Sequence, residues 1–232
     1  MIFRHQYQDG VWVDLEQPTE DEIREVSEEF SISKRIGREI YAPTPASLVA
    51  ADADATLLVL HFPAPSSKEG DTSNQEIDFV VGNRFIVTAR YEVVAPLYHL
   101  KKLLETQALV VGRDSVTTEV MLEVLFAHLY TSVRNNTNHI ASRLEHIEKS
   151  MFNGKERMTV RSISNISREF LHLEATLANQ EEPLARFLKP LESRTSFGAS
   201  FAARTNRILA ERMQVARLVG AHRAVATELR QT

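Results

Sequence analysis

Cysteine is absent from all 232 residues. That absence excludes disulfides, thiolate metal sites and cysteine nucleophiles, and it favours an intracellular compartment. Glycine and proline are scarce, at eight of each, so a collagen-like or low-complexity chain is excluded. No apolar run exceeds four residues. A membrane-spanning helix needs about 20 mostly apolar residues, so no segment is expected to cross a bilayer. The opening MIFRHQYQDG is not a signal peptide. A Gly-rich phosphate loop, a GxSxG elbow and an HExxH helix are all missing, so an enzyme is not expected.

What remains is an ordinary globular composition, 43% apolar and 25% charged. The length suits one or two domains with a buried core. The net charge of −4 is unevenly spread. Arg194–Thr232 holds seven Arg, no Lys and two Glu, a local excess of +5. Asp14–Glu29 holds eight carboxylates against Arg24. A basic C-terminal helix suits nucleic acid, acidic lipid headgroups or the acidic body of its own chain. No aromatic platform is interleaved with these arginines, so nucleic acid is not an expected partner.

The first half reads as α/β. Ile2–Tyr7 and Val11–Leu15 flank Asp9-Gly10, a hairpin signal. Thr19 and Glu22 form a capping box, and Glu20, Asp21 and Glu22 suit the positive end of the helix that follows. Its apolar stripe is Ile23, Val26 and Phe30. Ile32–Tyr41 predicts a second short helix, stopped by Pro43 and Pro45. Thr56–Phe62 (TLLVLHF), closed by Pro63, predicts a buried central strand. Glu76–Val81 and Arg84–Arg90 flank Gly82-Asn83, a second tight hairpin. Pro96–Glu105 predicts a short amphipathic helix, and Ala108–Val111 a further extended piece.

The second half reads as all helix. Asp114 or Ser115 is positioned to cap a helix reaching about Phe152, where Asn153-Gly154 supplies the stop. Ile140, Leu144, Ile147 and Met151 repeat at heptad spacing, as do Ile163, Ile166, Phe170, Leu173 and Leu177. Two such helices joined by a short turn predict an antiparallel hairpin, with a kink or restart at Pro183. Phe201, Ile208, Val215, His222 and Leu229 then follow at intervals of seven, with Thr205, Arg212, Val219 and Ala226 in the other seam position. A strict seven-residue repeat keeps one stripe facing a partner over about 45 Å. Arg212 disfavours a dry two-stranded coil. A wetter assembly of several helices, or packing on another element of this chain, fits the polar positions. The ending ELRQT carries no cap signal, and the helix is read as cut rather than ended.

Trp12-Val13-Asp14-Leu15, with Pro18 and the acidic helix after it, resembles the opening of the CorA family of magnesium channels. Ile32-Ser33 to Arg38-Glu39-Ile40, then Asp54-Ala55-Thr56-Leu57-Leu58-Val59-Leu60, resembles that family's short helix and central strand. Glu76–Thr88 resembles its hairpin, and order and spacing together carry the likeness over nearly the whole chain. The resemblance implies an α/β domain with a mixed sheet (1–112), an antiparallel helical hairpin (113–190) and a stalk helix (191–232) leading to an absent membrane segment. It implies a homopentameric funnel on the cytoplasmic side of the inner membrane, of which this chain is a soluble piece. The signature Gly-Met-Asn is missing here. The Arg excess near the end is what a segment approaching a membrane from the cytoplasm carries.

The resemblance also implies divalent cations held between subunits: Mg²⁺, with Co²⁺ or Zn²⁺ as alternatives. One ligand comes from an acidic dipeptide that here is Arg38-Glu39, so Glu39 is the candidate. Asp52 and Asp54 are further candidates, with turn residues as the other reading. No Asp or Glu lies between Glu192 and Glu211, where the stalk partner is sought, and Arg38 repels Mg²⁺. That departure leaves room for the zinc-transporting ZntB branch. His128, His139 and His146 share one helical stripe, but the last two stand about 10.5 Å apart, so zinc would need His172 or Glu145 as well. A ring of His222 copies on the seam would titrate near pH 6.5. Trp12 reads as a core anchor and Asp14 as an acceptor for nearby amides. The rival class is a soluble helical scaffold or adaptor.

Overall fold

Alternation and turn chemistry build a six-stranded mixed sheet. The computed structural model describes residues 1–65, 68–107, 116–151, 156–194 and 196–231. Strands β1 (Ile2–Tyr7) and β2 (Gly10–Glu16) form the expected hairpin. Its loop is Gln8-Asp9, because Tyr7 pairs with Gly10 and the glycine opens β2. Close approach, not a turn, requires glycine there: a Cβ would stand 2.0 Å from the Arg84 carbonyl oxygen. Asp9 serves α4 (Thr118–Met151) instead. Its Oδ1 accepts from the Thr118 amide at 2.8 Å and hydroxyl at 3.2 Å, so a strand loop caps the long helix. The local caps expected at Asp114 or Ser115, the extended piece at Ala108–Val111 and the stop at Asn153-Gly154 lie outside the described residues.

Helix α1 (Glu20–Glu29) opens with the complete Thr19–Glu22 capping box. It ends on Ser31 at φ 55°, with the Ile32 amide bonded to the Ser27 carbonyl at 2.9 Å. That bond is a Schellman stop built on serine rather than glycine. Ser33 caps α2 (Lys34–Glu39), which stops at Ile40, before Pro43. A short strand absent from the sequence pattern, β3 (Leu48–Ala51), then pairs with β4 (Thr56–Pro63). Strands β5 (Asn74–Val81) and β6 (Phe85–Arg90) follow, then α3 (Ala95–Gln107).

The strand order is β1-β2-β6-β5-β4-β3, and only β2 and β6 run parallel. β4 is interior, as expected, though next to the edge strand rather than at the middle. Helices α1 and α2 cover one face through Ile23, Val26, Ile36 and Ile40, packed with Val13, Leu15, Leu57, Val59 and Val80. The other face carries Trp12, Leu58, Leu60, Phe79 and Ile86, in one continuous core with α3, α4 and the remaining helices.

Helix α5 (Glu156–Asn179) gives way to α6 (Glu181–Leu191) at Gln180. Pro183 has no N–H for the Asn179 carbonyl, so the helix restarts with the proline in its first turn. Gln180 fills the break. Its Oε1 accepts from Tyr130 at 2.8 Å, and its Nε2 donates to the His61 carbonyl at 2.7 Å. Helix α7 (Phe201–Gln231) then runs beside α4 and α5.

Side chains at alternate positions of β2 bury a charge cluster between the sheet and α3. Asp14 is fully buried and accepts from Thr88 Oγ1 at 2.7 Å and from Arg90 Nε and a terminal nitrogen at 3.1 Å each. Lys101 of α3 completes the triad, and Arg90 also meets Glu16 at 2.6 Å. Asp14 therefore takes side-chain donors, not the nearby amides expected. Removing one partner of such a cluster strands the others in low dielectric. Asp14→Asn is expected to cost about 3–5 kcal/mol, read as a lower urea midpoint.

Candidate functional site

The seven-residue stripe of α7 is the most extended feature, and it faces inward. Phe201, Ile208 and Val215 are buried, with Thr205, Arg212, Val219 and Ala226. Leu229 is partly buried against the same core. The cover comes from α4 and α5 of the same chain. Pairs of Glu119 with Gly198, Glu123 with Arg207 and Arg134 with Glu211 advance together, so α7 runs parallel to α4. Arg212 meets Leu177 and His222 meets Phe170, so α7 runs antiparallel to α5. Within this chain the stripe is covered by its own hairpin. The apolar stripes of the hairpin close on the third helix within one chain, the second of the two packings its polar positions allowed.

Arg212 is accommodated by the end of α5. One terminal nitrogen donates to the Leu177 carbonyl at 2.9 Å, and the other lies 3.5 Å from Glu181. Carbonyls in the last turn of a helix lack intrahelical donors and carry partial negative charge, so a buried guanidinium fits there. His222 stacks on Phe170, with ring centroids 5.8 Å apart and planes at 16°. It lies against its own chain and stays half-exposed.

Most of the basic tail is neutralised internally. Glu123 takes Arg207 Nε at 2.6 Å and also Arg204, and these hold its carboxyl below the usual range, Arg207 most. Arg223 pairs with Glu174, while Arg134 of α4 bonds the tail's own Glu211 at 3.0 Å. Arg194 reaches the Asp54 carbonyl at 3.3 Å and Thr56 Oγ1 at 3.2 Å. Of the three expected partners for this positive charge, the chain's own body supplies carboxylates that pair with Arg204, Arg207, Arg212 and Arg223.

The metal-ligand candidates do not converge. Asp52 accepts from Ser33, the cap of α2, and its amide bonds the Ala55 carbonyl at 2.8 Å, so it closes a turn. Asp54 is exposed in that turn. Glu39 is half-buried, and Arg38 beside it lines a cleft between α1 and α2 with Arg24 and Lys34. His139 and His146 line an open groove with Arg143, and His128 and His172 bond backbone carbonyls elsewhere. Among the described residues, no group of three or more His, Asp or Glu is placed to hold an ion.

One titratable cluster was missed. Glu76 and Asp78 share the α2 face of β5 with Val80, and both are buried. Glu76 accepts the Thr44 amide at 2.9 and 2.8 Å and lies 3.3 Å from His61 Nε2. Asp78 Oδ2 accepts from Tyr91 at 2.8 Å. Burial first, then Glu76, pushes Asp78 up to about 9. Burial and the Asp78 charge raise Tyr91 likewise, while the bond to Glu76 raises His61 against its burial. Two acids at alternate positions of a strand that also carries Ile77, Phe79, Val80 and Val81 were the signal.

The family described as "CorA-like Mg2+ transporter protein" matches residues 7–232. The chain belongs to that family. Its fold is similar to the complete CorA magnesium transporter of Methanocaldococcus jannaschii, with a TM-score of 0.76 at 15% identity over 97% of this chain and 69% of that one. The soluble domain of the same CorA gives 0.76 at 16% identity, over 95% of this chain and 86% of that one. The ZntB cytoplasmic domain from Vibrio parahaemolyticus gives 0.70 at 12% identity, over 97% and 87%. No curated protein matches the sequence.

This CorA-like chain thus has the fold of a CorA soluble domain: a mixed sheet with helices, then long helices. A transporter family agrees with the expectation that the chain is not an enzyme. Among the described residues, no helix is long and apolar enough to cross a membrane. The inward stripe carries a prediction. Ile208→Ala should cost about 2–5 kcal/mol even in dilute solution, because its packing partners lie in the same chain. Denaturant unfolding at two protein concentrations checks this, and a loss seen only at the higher concentration contradicts it.

Proposed function

We propose that this chain is the cytoplasmic assembly and cation-sensing domain of a CorA-like divalent-cation transporter, working as a homopentamer. The transported ion in this reading is Mg²⁺, with Co²⁺ accepted alongside it. The family match carries the proposal, and the 31-residue α7 clamped along α4 and α5 supports it. A helix held by packing and by Glu123, Glu211 and Glu174 moves with its hairpin as one lever. The local Arg excess suits a segment that leads toward a membrane from the cytoplasmic side.

Among the described residues, no group of three or more His, Asp or Glu gathers to hold an ion within one copy. Any such ion in this reading sits between copies. Mg²⁺ keeps most of its waters and takes one or two carboxylates, so a half-buried Glu39 from each of two copies suffices chemically. The Arg38 charge beside Glu39 and the likeness to a ZntB cytoplasmic domain favour a second reading, in which the ion is Zn²⁺.

The test is titration of the purified chain with Mg²⁺, Co²⁺ and Zn²⁺, followed by thermal melting and light scattering. Under the proposal, Mg²⁺ raises the melting temperature and shifts the mass toward a pentamer. A response to Zn²⁺ alone selects the second reading. A chain whose melting temperature and mass ignore all three ions has no sensing role.

A further inference from the structure

The segment Tyr41–Ser47 joins α2 to the edge strand β3. It crosses the end of β4 that β3 leaves uncovered, since β3 pairs only as far as Val59. Thr44 fastens it at two points. Its amide donates to both carboxylate oxygens of Glu76, and its carbonyl lies 3.0 Å from His61 Nε2. Pro45, Ala46 and Ser47 then form one wall of a cavity of about 390 Å³. The other walls are His61 and Asn74 of the sheet and Thr176, Asn179 and Gln180 at the α5–α6 break. Glu76, a buried carboxylate, and its neighbour His61 thus tie this strap to the sheet through Thr44.

Asp78 stands behind Glu76 on the same strand face, fully buried. Tyr91 donates to its Oδ2, but its Oδ1 has no donor. The Asp78 carboxyl has that of Glu76, another acceptor, within hydrogen-bonding reach, and Glu39 of α2 adds a third negative charge nearby. Two carboxylates facing each other in a dry interior cannot both be ionised. A proton on Asp78 turns the orphaned oxygen into a donor and Glu76 into its acceptor, and the arrangement is then satisfied.

We propose that Asp78 and Glu76 hold one proton between them, and that this proton latches the Tyr41–Ser47 strap over the cavity, so that rising pH releases it. The inference is independent of the transport reading. Asp78 is locked in the sheet and cannot yield. Glu76, at the rim, is the group that moves when the proton leaves, and it takes Thr44 with it. The groups facing the pair are His61 from β4, Glu39 from α2 and Tyr91 after β6. The raised position of Asp78, about 9, means that the folded chain binds this proton more tightly than the unfolded chain does. By linkage, its contribution to stability is fullest at acid pH and declines as pH climbs from the ordinary aspartate range to about 9. His61, also raised, acts in the same direction: its bond to Glu76 weakens as pH passes its own transition.

Infrared spectroscopy and hydrogen exchange on the full chain test this. Wild-type protein at neutral pH should show a carboxylic-acid C=O band that disappears near pH 9. Exchange of the peptide covering 41–47 should accelerate beyond its intrinsic rise over the same interval. Asp78→Asn mimics the protonated acid, with an amide that still donates to Glu76. It should abolish the band, keep the strap protected through the alkaline step, and melt about 2–4 °C above wild type near pH 8. No acid band in the wild type at neutral pH overturns the proposal, and this readout does not depend on any variant folding. Equal loosening of the strap in D78N near pH 9 overturns it as well.

Discussion

A buried carboxylate, Asp14, decides how the two layers of this domain meet. Its negative charge is balanced by Arg90 from the neighbouring strand and Lys101 from α3, and Glu16 balances the cluster to zero net charge. Desolvating such groups is costly, and only complete pairing with hydrogen bonds offsets it. The cluster therefore admits one placement of α3 over β2 and β6. Trp12 obeys the same constraint: its indole donates to Thr88 Oγ1 at 3.0 Å, and that hydroxyl donates to Asp14. Lys101 also lies 4.9 Å from the centroid of the Phe3 ring, which extends the seat to β1.

From that seat the chain builds outward in two directions. One face of the sheet closes under two short helices. The other continues without a break into the helical half, so that Phe79, Phe126 and Tyr130 stack in sequence toward the long helices. Long helices gain little from propensity alone and depend on a buried stripe. Here three stripes meet, and a ladder of Glu and Arg on α4, α5 and α7 sets their register. The result is a rod stiff in itself and joined to the sheet through Gln180, whose amide links Tyr130 to the β4 backbone.

Polar groups in the two cores are treated differently. On the α3 side, opposite charges neutralise one another. On the α2 side, Glu76 and Asp78 are buried on one strand face, Glu39 adds its charge from α2, and His61 is the basic partner of Glu76. An excess of buried acid is tolerable only when a proton stands in for the missing cation. The stable seat and the titratable face thus lie on opposite sides of one sheet.

Much of this was legible along the chain. The Thr19–Glu22 box, both hairpins, the β4 run and the heptad helices follow from local rules of turns, caps and periodicity, which need only near neighbours. Gly10 was read as part of the hairpin turn, but what requires glycine there is the carbonyl of Arg84, just ahead of β6 and 74 residues later. The four residues of β3 are too short to declare a period. Asp9 capping α4, Asp14 meeting Lys101, and Gln180 bonding β4 all join positions far apart in sequence. Periodicity announced that α7 carries a stripe, yet not what covers it, since a heptad seam fits a sister helix and a hairpin of its own chain equally well. Only the closing of the tertiary fold, which set α4 and α5 beside α7 and aimed Arg212 at the end of α5, decided between them.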